Sequence, residues 1–173
     1  DEWREGLEAC DEIWTTSDWC KEVFENNGYK NVKVYPHGID PMWTPLKRKS
    51  DGVIKFLHIG EPAPRKAGQT VVDAFVELFG DDPRYSLTLK VFKHNTTRVF
   101  NNFIDRNIIG LPDQLYKNIT INTDVLDDEE LVNLYHDHDI LVYPSYGEGF
   151  GFIPLQALAT GMLTICVGGW AHY

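Results

Sequence analysis

Cysteine is scarce in this chain. There are three, Cys10, Cys20 and Cys166, and no C-x-x-C pair. An odd count without that spacing argues against a disulfide framework and against structural zinc. Reduced thiols and a cytoplasmic location are the expectation. Positive charge is also short. Lys and Arg number 16 against 26 Asp and Glu, for a net charge of −10. A general nucleic-acid binder would normally be basic, so that class is disfavoured. An anionic ligand would need a local patch or a helix N-terminus. No apolar run reaches the roughly 18 residues of a membrane span, and no signal peptide is visible. Peripheral membrane contact, through a domain outside this chain, stays open. The two N-x-T sequons, at Asn95 and Asn118, carry no meaning in a cytoplasmic protein. No repeat of fixed period is present.

What the chain does have is apolar content, 43% of its 173 residues, enough for one domain with a real core. The opening residues, 1–10, read as part of a helix. Strands are expected at 12–15 and 31–35, with a helix between them that Ser17 caps and Gly28 ends. Residues 41–52 are polar and read as a solvated linker, with Lys47, Arg48 and Lys49 as its basic triplet. From Val53 onward strands and helices alternate. Strands are expected at 53–59, 86–93, 118–122, 139–143 and 163–167. Between them lie a helix with the stripe Val71, Val72, Phe75, Leu78 and Phe79, a weaker one over 99–109, one opening at Asp127, and one running from Phe150 to Gly161. Four strand–helix pairs and a final strand predict an open, mostly parallel α/β sheet with helices on both faces.

Several residues invite chemical guesses. Asp127 to Glu130 form an acidic run, but at a helix start they complement the dipole. His136 and His138 are two apart, so a helix would point them in different directions and no shared metal site is expected. His94 lies in a loop with no partner in sequence and is read as a bystander. No metal-ligand spacing appears anywhere.

The richest stretch is 139–167, DILVYPSYGEGFGFIPLQALATGMLTICV. A strand runs into a loop of Pro, Ser and Gly, then into a helix, then into a second strand expected to be buried. Gly149 and Gly151 let backbone approach a ligand, and the first helical turn can hold a phosphate. Glu148, Gly149, Phe150 and Gly151 with Pro144, Ser145, Gln156, Ala157, Leu158, Ala159 and Gly161 resemble the donor-site signature of retaining glycosyltransferases of the GT-B fold, above all glycosyltransferase family 4. Upstream, Ala9, Cys10, Asp11, Ile13, Thr15, Ser17, Lys21, Glu22 and Val23, then Val32, Val34, Pro36, Gly38, Ile39 and Asp40, resemble the end of that family's N-terminal domain and the crossing from it.

The resemblance implies the C-terminal, Rossmann-like half of a GT-B enzyme. Residues 1–40 would be a remnant of the N-terminal domain and the crossing, 41–52 a linker, and 53–173 the nucleotide-sugar domain, truncated at both ends. It implies transfer of a glycosyl group from a UDP- or GDP-sugar, without metal, to an acceptor held by a domain absent here. Glu148 would hold sugar hydroxyls and Lys66, helped by Arg65, the departing diphosphate. The Gly149–Gly151 backbone and Phe150 would meet sugar and phosphate, Gln156 the ribose, and the backbone at Val125 the base. Two positions depart from the family pattern. Glu61 stands where Arg is usual, and Gln156 where Glu is usual. The alternative they keep open is a non-catalytic or degenerate nucleotide-sugar-binding module. An epimerase or phosphorylase on the same fold fits the P-S-x-x-E-G-F-G context less well.

Overall fold

The computed structural model describes residues 2–48, 51–92 and 117–172. His94 and the expected helix over 99–109 lie outside the described residues. The chain opens with α1 (Glu2–Glu8), β1 (Ile13–Thr15), α2 (Asp18–Asn26) and β2 (Val32–Val34). β1 and β2 pair in parallel, Ile13 opposite Val32, as a small sheet of their own. Ser17 caps α2, its hydroxyl accepting from the Cys20 amide.

The main sheet holds β3 (Ile54–Gly60), β4 (Tyr85–Val91), β5 (Ile119–Asn122), β6 (Ile140–Tyr143) and β7 (Leu163–Cys166). All pairings are parallel, in the order β5-β4-β3-β6-β7. The helices are α3 (Gly68–Phe79), α4 (Asp128–His136) and α5 (Phe152–Ala159). Strand residues alternate between two cores. Leu57, Ile59, Leu141 and Tyr143 pack with Val132 and Tyr135 of α4 and Ala157 of α5. Phe56, Leu87, Leu89, Val91 and Ile119 pack with Val71, Val72 and Phe75 of α3. Helices therefore cover both faces, as the alternation of strands and helices predicts.

The order has one consequence for function. From β3 the chain steps outward to β4 and β5, then returns to the other side of β3 for β6 and β7. The loops leaving β3 and β6 lead to helices on opposite faces, and the crevice outside the carboxyl ends of these two strands is the usual ligand position in open α/β sheets.

Three expectations need correction. The run 163–167 is not a buried strand. Among the described residues it forms the sheet edge, pairing with β6, and Leu163 and Ile165 are 61% and 52% exposed. Leu78 of the expected α3 stripe points outward at 71% exposed, while Val71, Val72 and Phe75 of that stripe are buried. The solvated linker is half wrong. Trp43 is buried edge-on against Tyr135 at 5.0 Å. Arg48 fans over the ends of two helices, giving Nε to His138 O at 2.6 Å, Nη1 to Thr160 O at 3.1 Å and Nη2 to Tyr135 O at 3.2 Å. These carbonyls lie at the C-terminal ends of α4 and α5, where a cation is stabilised. Arg48→Ala is expected to cost about 2 kcal/mol, the scale of hydrogen bonds from a charged group. Arg48→Lys should recover little of it, since one ammonium cannot span three carbonyls. Urea unfolding of the three proteins measures this.

His138, just past the C-terminal end of α4, has both ring nitrogens engaged within the protein. Its Nδ1 lies 2.7 Å from Leu134 O, so Nδ1 carries the proton, and Nε2 accepts from the Thr88 hydroxyl at 2.8 Å. His136 points instead to Thr44 O. Among the described residues no group of three His, Cys, Asp or Glu could hold a metal, and no helix is long and apolar enough to cross a membrane. Burial lowers the pKa of His138, outweighing the Leu134 bond and Asp137, and likewise lowers that of His58. A lowered folded pKa means the unfolded chain takes up protons first. Stability from these two is full above about pH 6.5 and declines below it, by up to about 1.4 kcal/mol per pH unit for each. Urea unfolding at pH 7.5 and 5.0 should show the loss, and His138→Gln should remove part of it. Equal stability at both pH values would refute it.

Candidate functional site

Two loops build the site. The first leaves β3 at Gly60 and turns through a short 3-10 segment, Pro64–Lys66. Pro64 starts that turn with its fixed φ. Ala67 then adopts φ +53°, a left-handed conformation that is costly for a residue with a Cβ. This kink turns Lys66 inward, and Lys66 is only 8% exposed. Gly60 makes room for it. A Cβ at Gly60 would lie 3.2 Å from Lys66 Cβ.

The second loop leaves β6 at Tyr143. Gly151, not Phe150, is the residue before the helix, with φ +92°, and α5 begins at Phe152. A Cβ at Gly151 would also collide with the His172 ring at 2.9 Å. That requirement breaks the helical run expected from Phe150. In the first turn Pro154 has no N–H, so the amides of Phe152 and Ile153 are the donors there. Gly149 has no such backbone demand. Its carbonyl accepts from Thr16 Oγ1 at 2.9 Å and Ser17 Oγ at 2.8 Å, which ties the loop to the start of α2.

Between the loops stands Glu148. Its Oε1 accepts from Lys66 Nζ at 2.5 Å, Ser145 Oγ at 2.6 Å, Tyr143 OH at 2.8 Å and Arg65 Nη1 at 3.0 Å. Burial alone would raise its carboxyl. The bonds from Lys66, Ser145 and Tyr143 outweigh that and hold it at about 2. Arg65 also gives Nη1 to Gly147 O, and the Tyr146 amide donates to Arg65 O at 2.8 Å. The two loops are thus stitched together by backbone as well as by charge.

A cavity of about 310 Å³ opens beside this cluster, bounded by Lys66, Glu148, Phe150, Phe152, Thr16 and His37. The His37 ring stacks on Phe152 at 4.9 Å and meets Phe150 edge-on at 5.2 Å. The arrangement combines two cations, a fixed carboxylate, helix-start amides and an aromatic wall. It can hold an anionic group next to a polyhydroxyl one.

The structure brings Glu148, Lys66, Arg65, Gly149, Phe150 and Gly151 to this one place. Gln156 and Val125 sit apart from it. Gln156 Oε1 accepts from Tyr135 OH at 3.0 Å, which leaves its amide nitrogen for any ligand. Val125 is 99% exposed, in the loop after β5, where Lys90 donates to Asp124 O. Glu61 is exposed and forms no ion pair among the described residues. Arg65 pairs with Glu148 rather than with Glu61. Sequence reasoning missed Tyr143, which falls in the strand expected at 139–143, and His37. No local pattern marks either, since both reach the site through space.

A family model, glycosyl transferases group 1, matches residues 53–171. The D-inositol 3-phosphate glycosyltransferase of Corynebacterium efficiens is 31% identical over 123 residues, 64% of this chain and 26% of that protein. Two solved structures share the fold. A glycosyltransferase from Rickettsia africae superposes with a TM-score of 0.76 at 19% identity, over 92% of this chain and 45% of that one. A sucrose-phosphate synthase from Thermosynechococcus elongatus gives 0.70 at 20% identity, over 92% and 41%. The chain thus spans about a quarter of the curated relative and under half of these structures. It has the architecture of a GT-B C-terminal domain, and it belongs to the group 1 glycosyl transferases.

Proposed function

We propose that this chain is the donor-binding part of a retaining glycosyltransferase that moves a glycosyl group from a UDP- or GDP-sugar to an acceptor held elsewhere in the protein. The observation that carries the reading is the meeting of Lys66, Arg65 and Glu148 at the mouth of the crevice between β3 and β6. The diphosphate would lie against Lys66, Arg65 and the start of α5. As the glycosyl bond breaks, negative charge grows on the leaving diphosphate, and the two cations stabilise it where it develops. That role needs no bound metal. Glu148 would accept hydrogen bonds from sugar hydroxyls, with the Gly149–Gly151 backbone and Phe150 at the sugar's edge. The Gln156 amide nitrogen would serve the ribose and the backbone at Val125 the base. Arg65 supplies the positive charge that Glu61 does not, which favours a working enzyme over a degenerate one.

The test is calorimetric titration of the chain with UDP and with GDP, each with and without EDTA. Saturable binding of one of them, unchanged by the chelator, is expected. No saturable binding of any nucleoside diphosphate would overturn the donor-site reading.

A further inference from the structure

Tyr143 closes β6 and is 1% exposed, yet its hydroxyl is not packed among carbon. It lies 2.5 Å from Lys66 Nζ and donates to Glu148 Oε1 at 2.8 Å. An ammonium can only donate, and a carboxylate can only accept. The order is therefore fixed: Lys66 N–H to the phenol oxygen, phenol O–H to Glu148. Burial, reinforced by the Glu148 bond, raises the phenol's pKa, so it stays protonated and keeps that direction. Ser145 differs. It donates to the same Glu148 oxygen at 2.6 Å but has no bond to Lys66. Among the described residues, Tyr143 is the uncharged group that hydrogen-bonds to both the cation and the carboxylate.

We propose that Tyr143 is a positioning residue: its phenol holds the Lys66 ammonium at the crevice, so that the cation keeps its place when Glu148 turns to a ligand. The reason is the geometry of exchange. Lys66 and Glu148 now satisfy each other at 2.5 Å. A ligand that offers an anion to Lys66 and hydroxyls to Glu148 must loosen that pair. A lysine on a four-carbon stem would then be free to wander, and fixing it again on the ligand would cost rotamer freedom. The neutral phenol oxygen is a second anchor that the ligand does not compete for. The further step, that the anion is a diphosphate, rests on the donor-site reading.

The first arm of the test uses no ligand. In the full chain, Lys66 is labelled by reductive methylation with formaldehyde and cyanoborohydride, and the extent is read by peptide mass spectrometry against Lys21. Tyr143→Phe keeps the ring and loses the oxygen. Labelling of Lys66 is expected to rise about tenfold, the worth of one hydrogen bond to a charged group. Ser145→Ala should leave it unchanged. No rise in Tyr143→Phe, or an equal rise in Ser145→Ala, would overturn the proposal, the second because the phenol would then act only through Glu148. If Tyr143→Phe does not fold, 3-fluorotyrosine at position 143 replaces it. The fluorinated phenol is a better donor and a poorer acceptor, so Lys66 labelling should again rise, and no rise would overturn the proposal.

The second arm titrates UDP, GDP and the parent nucleosides. Tyr143→Phe should weaken the diphosphate about tenfold and the nucleoside hardly at all. Equal weakening of both would refute the ligand-facing half. A wild type that binds no nucleoside diphosphate would remove the donor-site reading, while the labelling arm still decides the role of Tyr143.

Discussion

Glu148→Ala is expected to lower glycosyl transfer by the full-length enzyme about 100- to 1,000-fold, the usual effect of losing one preorganised polar group at the reacting centre. Affinity for free UDP or GDP should not fall with it, and a rise is the sharper expectation. In the unliganded chain Glu148 is the internal counter-anion of both Lys66 and Arg65. Removing it leaves two cations facing the crevice with no competitor for a diphosphate. The same deletion should cost stability. It strands the ammonium of Lys66, only 8% exposed, with Tyr143 as its remaining partner. Losing one member of a buried pair costs about 3 kcal/mol or more. Lys66→Met in the Glu148→Ala background should return much of that, because no buried charge is then left unpaired. Turnover, calorimetry and urea unfolding on the single and double variants separate these effects. If nucleotide affinity falls in step with turnover, the carboxylate supports the loop rather than the sugar.

The sequence showed the kinds of parts well and their meeting poorly. Alternating apolar segments gave a parallel sheet with helices on both faces. The loop glycines pointed to Glu148. The acidic run 127–130 caps and opens α4, with Asp127 and Glu130 exchanging side chain and backbone in a capping box. These signals are local, carried by residues a few positions apart. What was hidden was non-local. That β3 and β6 are neighbours depends on strand order, which no single segment encodes, and it alone explains why Lys66 meets Glu148 across 82 positions. Tyr143 looked like core because in a strand an aromatic usually is. Its ring does sit in the core and only its oxygen serves the site. Leu163 and Ile165 looked buried because apolarity does not distinguish a central strand from an edge. Arg48 looked solvated because its three carbonyl partners lie about 90 and 110 residues downstream, at helix ends that only the fold brings together.

Lys66→Ala is the second large effect, and its comparison with Arg65→Ala tests how the site divides its charge. Both cations bond to the same oxygen of Glu148, yet they are not equivalent. The Lys66 side chain is 10% exposed and that of Arg65 51%. Water screens an exposed pair and leaves it worth little, whereas a desolvated cation keeps most of its attraction for an anion. Lys66→Ala should therefore weaken UDP or GDP binding about 100-fold, and Arg65→Ala about tenfold at most, the difference between a buried charged hydrogen bond and a rim contact. Raising the salt should shrink the Arg65 effect faster than the Lys66 effect, because screening acts on exposed charges first. In transfer assays Lys66→Ala should lose more in kcat than in donor affinity, since charge on the leaving diphosphate is greatest as the glycosyl bond breaks. Equal losses from the two variants would mean that the diphosphate lies out at the rim beside Arg65. No loss from Lys66→Ala would mean that its ammonium serves only to hold Glu148, and the anion would then belong to the α5 amides alone.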